Sequence, residues 1–130
     1  MPSILLIEDD HDTAETLQAM LEVEGHDVFR AENGRRALVL LQGGAAVDLV
    51  LTDIVMPDME GISTIQHLGR LRPGLPVVAM TARRDTPYLR AAKAMGARET
   101  LYKPFGRQAL REILQRALAS EAAPLGPSSR

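Results

Sequence analysis

Five short apolar runs punctuate the chain: SILLIE at 3–8, DVFRA at 27–31, DLVLT at 48–52, LPVVAM at 75–80 and ETLY at 99–102. The first, third and fourth are nearly unbroken in apolar residues. That is the pattern of strands covered on both faces in a parallel sheet, not the alternation of a sheet with one wet face. Between the runs the period becomes helical. Leu17, Met20 and Leu21 share one face of a first helix that ends at Gly25, and Asn33-Gly34 opens a second through RRALVLLQ. Glu60-Gly61 leads into a third that reaches about Arg70, and TPYLRAAKAM makes a fourth with Gly96 behind it. Leu110, Ile113, Leu114, Ala117 and Leu118 stripe a fifth.

A βα unit repeated five times with short connections predicts a three-layer α/β domain. Its sheet is parallel, with helices on both faces, because each parallel crossover needs a helix and is right-handed. The pattern does not order the strands. The order 2-1-3-4-5 is borrowed from one of the two common doubly wound arrangements, and such sheets in general bind ligands in a crevice at the carboxyl ends of the strands. The expected domain covers residues 1–119; SEAAPLGPSSR at 120–130, rich in Pro, Ser, Gly and Ala, reads as a disordered tail or linker stub.

Composition narrows the function classes. With 130 residues, 45% of them apolar, the chain has one core. Two Tyr, two Phe and no Trp leave no stacking platform for RNA. Zero cysteines exclude disulfides and thiolate metal sites, and a formal charge of −2 gives no global pull toward nucleic acid or anionic membrane. MPSILLIEDD has no basic segment ahead of its short apolar run, and no run approaches membrane-spanning length. The expectation is a cytoplasmic protein with no membrane partner and no direct nucleic-acid contact.

The remaining chemistry lies at strand ends. Glu8, Asp9 and Asp10 follow the first strand, Asp53 the third, Thr81 the fourth and Lys103 the fifth. If the first and third strands are neighbours, Asp9, Asp10 and Asp53 converge. Carboxylate pairs repel by about 4 kcal/mol at roughly 4 Å separation and an effective dielectric near 20, so a cation must sit among them. Lys103 supplies one charge, and an oxygen-only set with room for water suits Mg²⁺, with Mn²⁺ as a substitute. Singly, each residue has a plainer explanation: helix caps for the acidic pair and Thr81, a loop cation for Lys103, a turn for MPDMEG. Together, at four of five strand ends, they favour one phosphate and metal site.

In order and spacing, LLIEDD, LVLTDIVMPDMEG, VVAMTA and LYKPF resemble the receiver domain of two-component response regulators, the chemotaxis-type receiver, over residues 3 to about 119. The resemblance implies the flavodoxin-like fold. It also implies that Asp53 accepts a phosphoryl group from a histidine of a sensor kinase or phosphotransfer protein. Asp10 is then the direct Mg²⁺ ligand and Asp9 the water-mediated one, with the Val55 carbonyl completing the set. Thr81 and the Ala82 N–H bind phosphoryl oxygens, and Lys103 pairs with Asp53 or its phosphoryl group. Such a domain is not an enzyme acting on other molecules, although it assists its own phosphorylation and dephosphorylation. Its output surface is the fourth helix, fifth strand and fifth helix.

The chain departs from the family at one switching position: Thr100 stands three residues before Lys103, where Tyr or Phe is common. Tyr102, two residues on, shares its strand face and is the expected substitute. Val55 and Arg83 flank the site, each two residues past Asp53 and Thr81. Arg83 either reaches over the phosphoryl group or is a solvated cation, the plainer reading. Charge is segregated, with nine acidic residues against one basic in 1–34 and three against eleven in 70–116. An acidic protein partner is one use of the basic part, and solvated helix faces are the plainer one. His11, His26 and His67 lack metal-ligand spacing.

A stand-alone receiver is the favoured reading. The alternative is an input domain excised from a longer regulator with a DNA-binding or enzymatic output. A haloacid-dehalogenase-like phosphatase also uses an aspartyl phosphate, but its nucleophile begins an Asp-x-Asp pair, and Val55 stands at the third position here. A flavodoxin-like electron carrier needs a hydroxyl-rich phosphate loop after the first strand, where this chain has an acidic pair.

Overall fold

The computed structural model describes residues 2–54, 61–83 and 87–122. Strands β1 (Ser3–Ile7), β2 (Asp27–Ala31), β3 (Leu49–Asp53), β4 (Val77–Thr81) and β5 (Glu99–Tyr102) alternate with helices α1 (His11–Val23), α2 (Gly34–Gln42), α3 (Gly61–Leu71), α4 (Tyr88–Ala94) and α5 (Arg107–Ala122). The five strands form one parallel sheet in the order β2-β1-β3-β4-β5. The three-layer α/β reading and the strand order are as expected.

Successive strand residues point to opposite faces, and the sheet therefore divides the core in two. Leu5, Ile7, Val50 and Ala79 pack with Ala37, Leu41, Ile65, Leu68, Leu89 and Ala92 of α2, α3 and α4. Ile4, Leu6, Leu49, Leu51, Val78 and Met80 pack with Leu17, Leu21, Leu110, Leu114 and Ala117 of α1 and α5. β1, β3 and β4 are thus buried on both sides, the reason their sequences show no polar alternation. Each fully buried Leu or Ile contributes about 1.5–3 kcal/mol of transfer free energy.

Local chemistry sets the element ends. Asn33 accepts the Arg36 N–H at 2.9 Å and caps α2, and Gly25 takes φ 94°, the left-handed turn that stops α1. Expected and observed ends coincide for β2 and β5 and differ by one or two residues for β1, β3 and β4. The Ser3 N–H donates to the Asp48 Oδ2 at 2.7 Å in place of a backbone carbonyl, and β3 begins at Leu49. Pro76 has no N–H for the ladder, so β4 begins at Val77. Both strands then run one residue further, making Asp53 and Thr81 strand residues rather than loop residues. α4 is shorter than expected, with Pro87 at its N-cap and Met95 at its C-cap. α5 continues to Ala122, past the expected domain end at 119, and residues 123–130 of the expected tail lie outside the described residues. Among the described residues no helix is long and apolar enough to cross a membrane.

Candidate functional site

Asp53 ends β3 with 7% of its surface exposed. Three hydrogen bonds, two of them between backbone groups, fix its position. The Ile54 N–H donates to the Met80 carbonyl of β4 at 3.1 Å, and the Thr52 hydroxyl donates to the Asp53 carbonyl at 2.8 Å. Gly61, the first residue of α3, donates its N–H to the Ile54 carbonyl at 3.0 Å. A Cβ at Gly61 would fall 2.1 Å from Ile54 Cα and 2.7 Å from the Asp53 carbonyl oxygen. Only glycine lets α3 start this close to the strand, and so the carboxylate rests on a rigid support.

A buried carboxylate needs a counter-charge, and Lys103 provides it. The Lys103 N–H donates to the Thr81 carbonyl at 2.8 Å, which extends the β4–β5 pairing past Tyr102. Its ammonium then lies 2.7 Å from Asp53 Oδ2 and 2.9 Å from Glu8 Oε1. Glu8, just past β1, is 4% exposed. Burial raises the Glu8 carboxyl above its ordinary value, with Lys103 partly opposing the shift. Burial pulls the Lys103 ammonium down, but hydrogen bonds and charge from Asp53 and Glu8 outweigh it and leave it raised. Lys103 is therefore held charged.

The carboxylates that converge are Glu8, Asp9 and Asp53, with one oxygen from each within 4.8 Å of the others. The sequence reading expected Asp9 and Asp10 beside Asp53; the structure puts Asp10 elsewhere. Asp10 is the N-cap of α1, its Oδ2 accepting from the Thr13 N–H at 2.9 Å and the Thr13 hydroxyl at 2.6 Å. Those two bonds hold its carboxyl below the usual carboxylate range. The cause is the strand end: β1 stops at Ile7, and Glu8 is the first acidic residue at the carboxyl edge. A signal was present, since an Asp with a Thr three residues on, before an apolar helical period, is a cap pattern. Val55, the remaining expected ligand, lies outside the described residues. Three carboxylate oxygens, one side chain open to solvent, suit a hard divalent cation that keeps part of its water.

Thr81 ends β4 fully buried, next to the exposed Ala82. Its Oγ1 accepts the Arg83 N–H at 3.0 Å, and a hydroxyl that accepts still has its own proton to donate. Arg83 is not simply solvated: its guanidinium lies 5.6 Å from the centroid of the Tyr88 ring. Tyr102 pairs in register with Thr81 and is 37% exposed, whereas Thr100 is partly buried beside Ala79. A groove of about 480 Å³ opens beside Lys103, with Leu17, Met20, Ala82 and Phe105 among its walls.

Sequence comparison agrees with this arrangement. The family model of the response regulator receiver domain matches residues 4–115. The chain is 37% identical to the uncharacterized transcriptional regulatory protein YrkP of Bacillus subtilis, covering 82% of this chain and 45% of that protein. It is also 37% identical to the transcriptional regulatory protein ZraR of Escherichia coli K12, covering 89% of this chain and 26% of that protein. The chain thus spans less than half the length of these curated relatives. Among solved structures, the chemotaxis protein CheY4 of Vibrio cholerae is similar, with TM-score 0.83, 28% identity and coverage of 91% of this chain and 99% of that one. A CheY-like receiver domain protein of Methanospirillum hungatei has TM-score 0.86, 26% identity and coverage of 94% and 97%. By sequence and by structure, the chain belongs to the response regulator receiver domain family, whose members are phospho-accepting signalling domains.

Proposed function

We propose that Asp53 accepts a phosphoryl group from the phosphohistidine of a sensor kinase or phosphotransfer protein, in the cytoplasm, and that the acyl phosphate switches a protein-interaction surface. The observation that carries this is the grouping of Asp53, Lys103, Glu8 and Asp9 at one sheet edge, with the nucleophile on a rigid strand end. An Asp53 carboxylate oxygen forms the new bond to phosphorus while the donor's P–N bond breaks and the imidazole keeps the electron pair. Lys103 stays paired with the site as charge passes to the phosphoryl oxygens, and Thr81 and the Ala82 N–H donate to them. Positioning and charge neutralisation are what such a transfer needs.

Glu8, Asp9 and Asp53 would hold Mg²⁺, with Mn²⁺ able to replace it, and the ion supplies charge neutralisation at the phosphoryl oxygens when bound. The groove lined by Leu17, Met20 and Phe105 offers apolar surface to the donor beside Lys103. The output face comprises α4, β5 and α5, with Tyr102 exposed on it. The reading holds for a chain acting alone and for one joined to an output domain; the encoding reading frame separates the two.

Intact-mass spectrometry after incubation with acetyl phosphate and Mg²⁺ tests it. One added phosphoryl group in wild type, absent from Asp53→Asn and without metal, is the expected result. No adduct together with no binding of a beryllofluoride mimic would overturn it.

A further inference from the structure

We propose that Tyr88 is a positioning residue for the phosphoryl site: by stacking on Arg83 it couples the Thr81 hydroxyl to the first turn of α4. The inference rests on the phospho-acceptor reading above and adds a residue to it. Three observations carry it. The Arg83 N–H donates to Thr81 Oγ1 at 3.0 Å. The Arg83 guanidinium lies 5.6 Å from the Tyr88 ring centroid, inside the range of about 6 Å over which a cation is attracted to an aromatic face. Tyr88 is the first residue of α4 and packs, half-buried, against the apolar cluster that contains Leu89 and Ala92.

Arg83 is thus attached at both ends, its backbone to the hydroxyl at the site and its side chain to the helix. α4 is only seven residues long, and Pro87 at its N-cap supplies no side-chain hydrogen bond. The ring contact is a fixed point of its first turn. When the Thr81 hydroxyl turns to donate to a phosphoryl oxygen on Asp53, the geometry that accepts the Arg83 N–H changes with it. The guanidinium then shifts on the ring, and the start of α4 is displaced or released. The same stack directs the guanidinium toward Tyr88, so losing it also changes how long the acyl phosphate lasts.

Two tyrosines and no tryptophan make the test direct. In Tyr102→Phe, Tyr88 is the sole tyrosine emitter. Beryllofluoride with Mg²⁺ is titrated into this variant and into Tyr102→Phe/Arg83→Met, following tyrosine emission and, in parallel, bound fluoride by ¹⁹F NMR. A saturable emission change that tracks the bound ¹⁹F signal in the first, and its loss in the second while beryllofluoride still binds, is expected. Tyr88→Leu should change the phosphoryl half-life about two- to five-fold, the population change that cation–π stacking of this kind can enforce, while Tyr88→Phe keeps the wild-type value. Bound fluoride without an emission change, a change that survives Arg83→Met, or an unaltered half-life in Tyr88→Leu would overturn the coupling alone. No bound fluoride in wild type titrated alongside, together with no phosphoryl adduct from acetyl phosphate, would overturn the phospho-acceptor reading and the coupling with it.

Discussion

The Lys103 ammonium lies 2.7 Å from Oδ2 of Asp53, fifty positions earlier in the chain, and the same nitrogen holds Glu8 at 2.9 Å. One cation balances two buried carboxylates, so its removal takes the same counter-charge from both. Lys103→Met should destabilise the fold by about 3 kcal/mol, the lower end of the cost of breaking a buried pair, since the lysine side chain is 16% exposed. Glu8 is already raised by burial, and losing its partner raises it further. A carboxyl whose folded-state pKa is raised contributes stability below its unfolded value, which is lost as pH rises through the folded one. Urea midpoints at pH 5 and 8 should therefore show a larger deficit for the variant at pH 8.

Asp9 and Asp10 separate by role. Saturating Mg²⁺ at about a hundred times its dissociation constant should stabilise wild type by about 2.7 kcal/mol. Asp9→Asn should lose most of that gain, because Asp9 belongs to the carboxylate cluster. Asp10→Asn should keep the gain and the helix cap, whereas Asp10→Ala should keep the gain and lower the melting temperature with or without metal. Thermal melts at several Mg²⁺ concentrations read all four proteins.

Gly61→Ala places a methyl group where Ile54 Cα already stands. A backbone neighbour cannot rotate away, so α3 must back off the end of β3. A loss of about 3 kcal/mol or more is expected, at the upper end of overpacking, with slower phosphorylation by acetyl phosphate because Asp53 shifts. Equal stability in chemical denaturation would contradict the geometry.

Glu24, the C-cap of α1, accepts from Arg111 at 2.9 and 3.0 Å and from Arg107 at 3.3 Å. Arg111 chiefly, with Arg107, holds its carboxyl below the ordinary value. A depressed folded-state pKa contributes stability above the unfolded value, which is lost as pH falls through the folded one. Glu24→Gln should therefore flatten the acid limb of stability between pH 5 and 3 and leave Asp53 phosphorylation unchanged at pH 7.

The fold was legible because burial on both faces writes itself into β1, β3 and β4 as unbroken apolar runs, and because Gly25, Asn33 and Gly96 mark helix ends. Strand order was not legible from periodicity, since Leu5 and Leu49 read alike wherever their strands lie. At the site, Asp53 could be placed because a lone charge at the end of a buried run has few other uses, and Lys103, which follows a partly buried strand, only from its place among the polar residues at four strand ends. The acidic side was read one residue late. Three consecutive acidic residues carry no local mark of where the strand stops, and only the Asp10–Thr13 cap shows which of them turns away from the edge. The Arg83–Tyr88 stack was out of reach, because it depends on where α4 begins.

The 95 positions between Glu8 and Lys103 also have a consequence for synthesis. On the ribosome, the three carboxylates emerge long before the lysine that balances two of them. A nascent chain that has paired β1 with β3 already holds Glu8 against Asp53 without its counter-ion, and that repulsion opposes early closure of this edge. This edge is therefore completed only once β5 and Lys103 have emerged, and a chain truncated before residue 103 keeps most of its core residues while lacking the ammonium that pairs with Asp53.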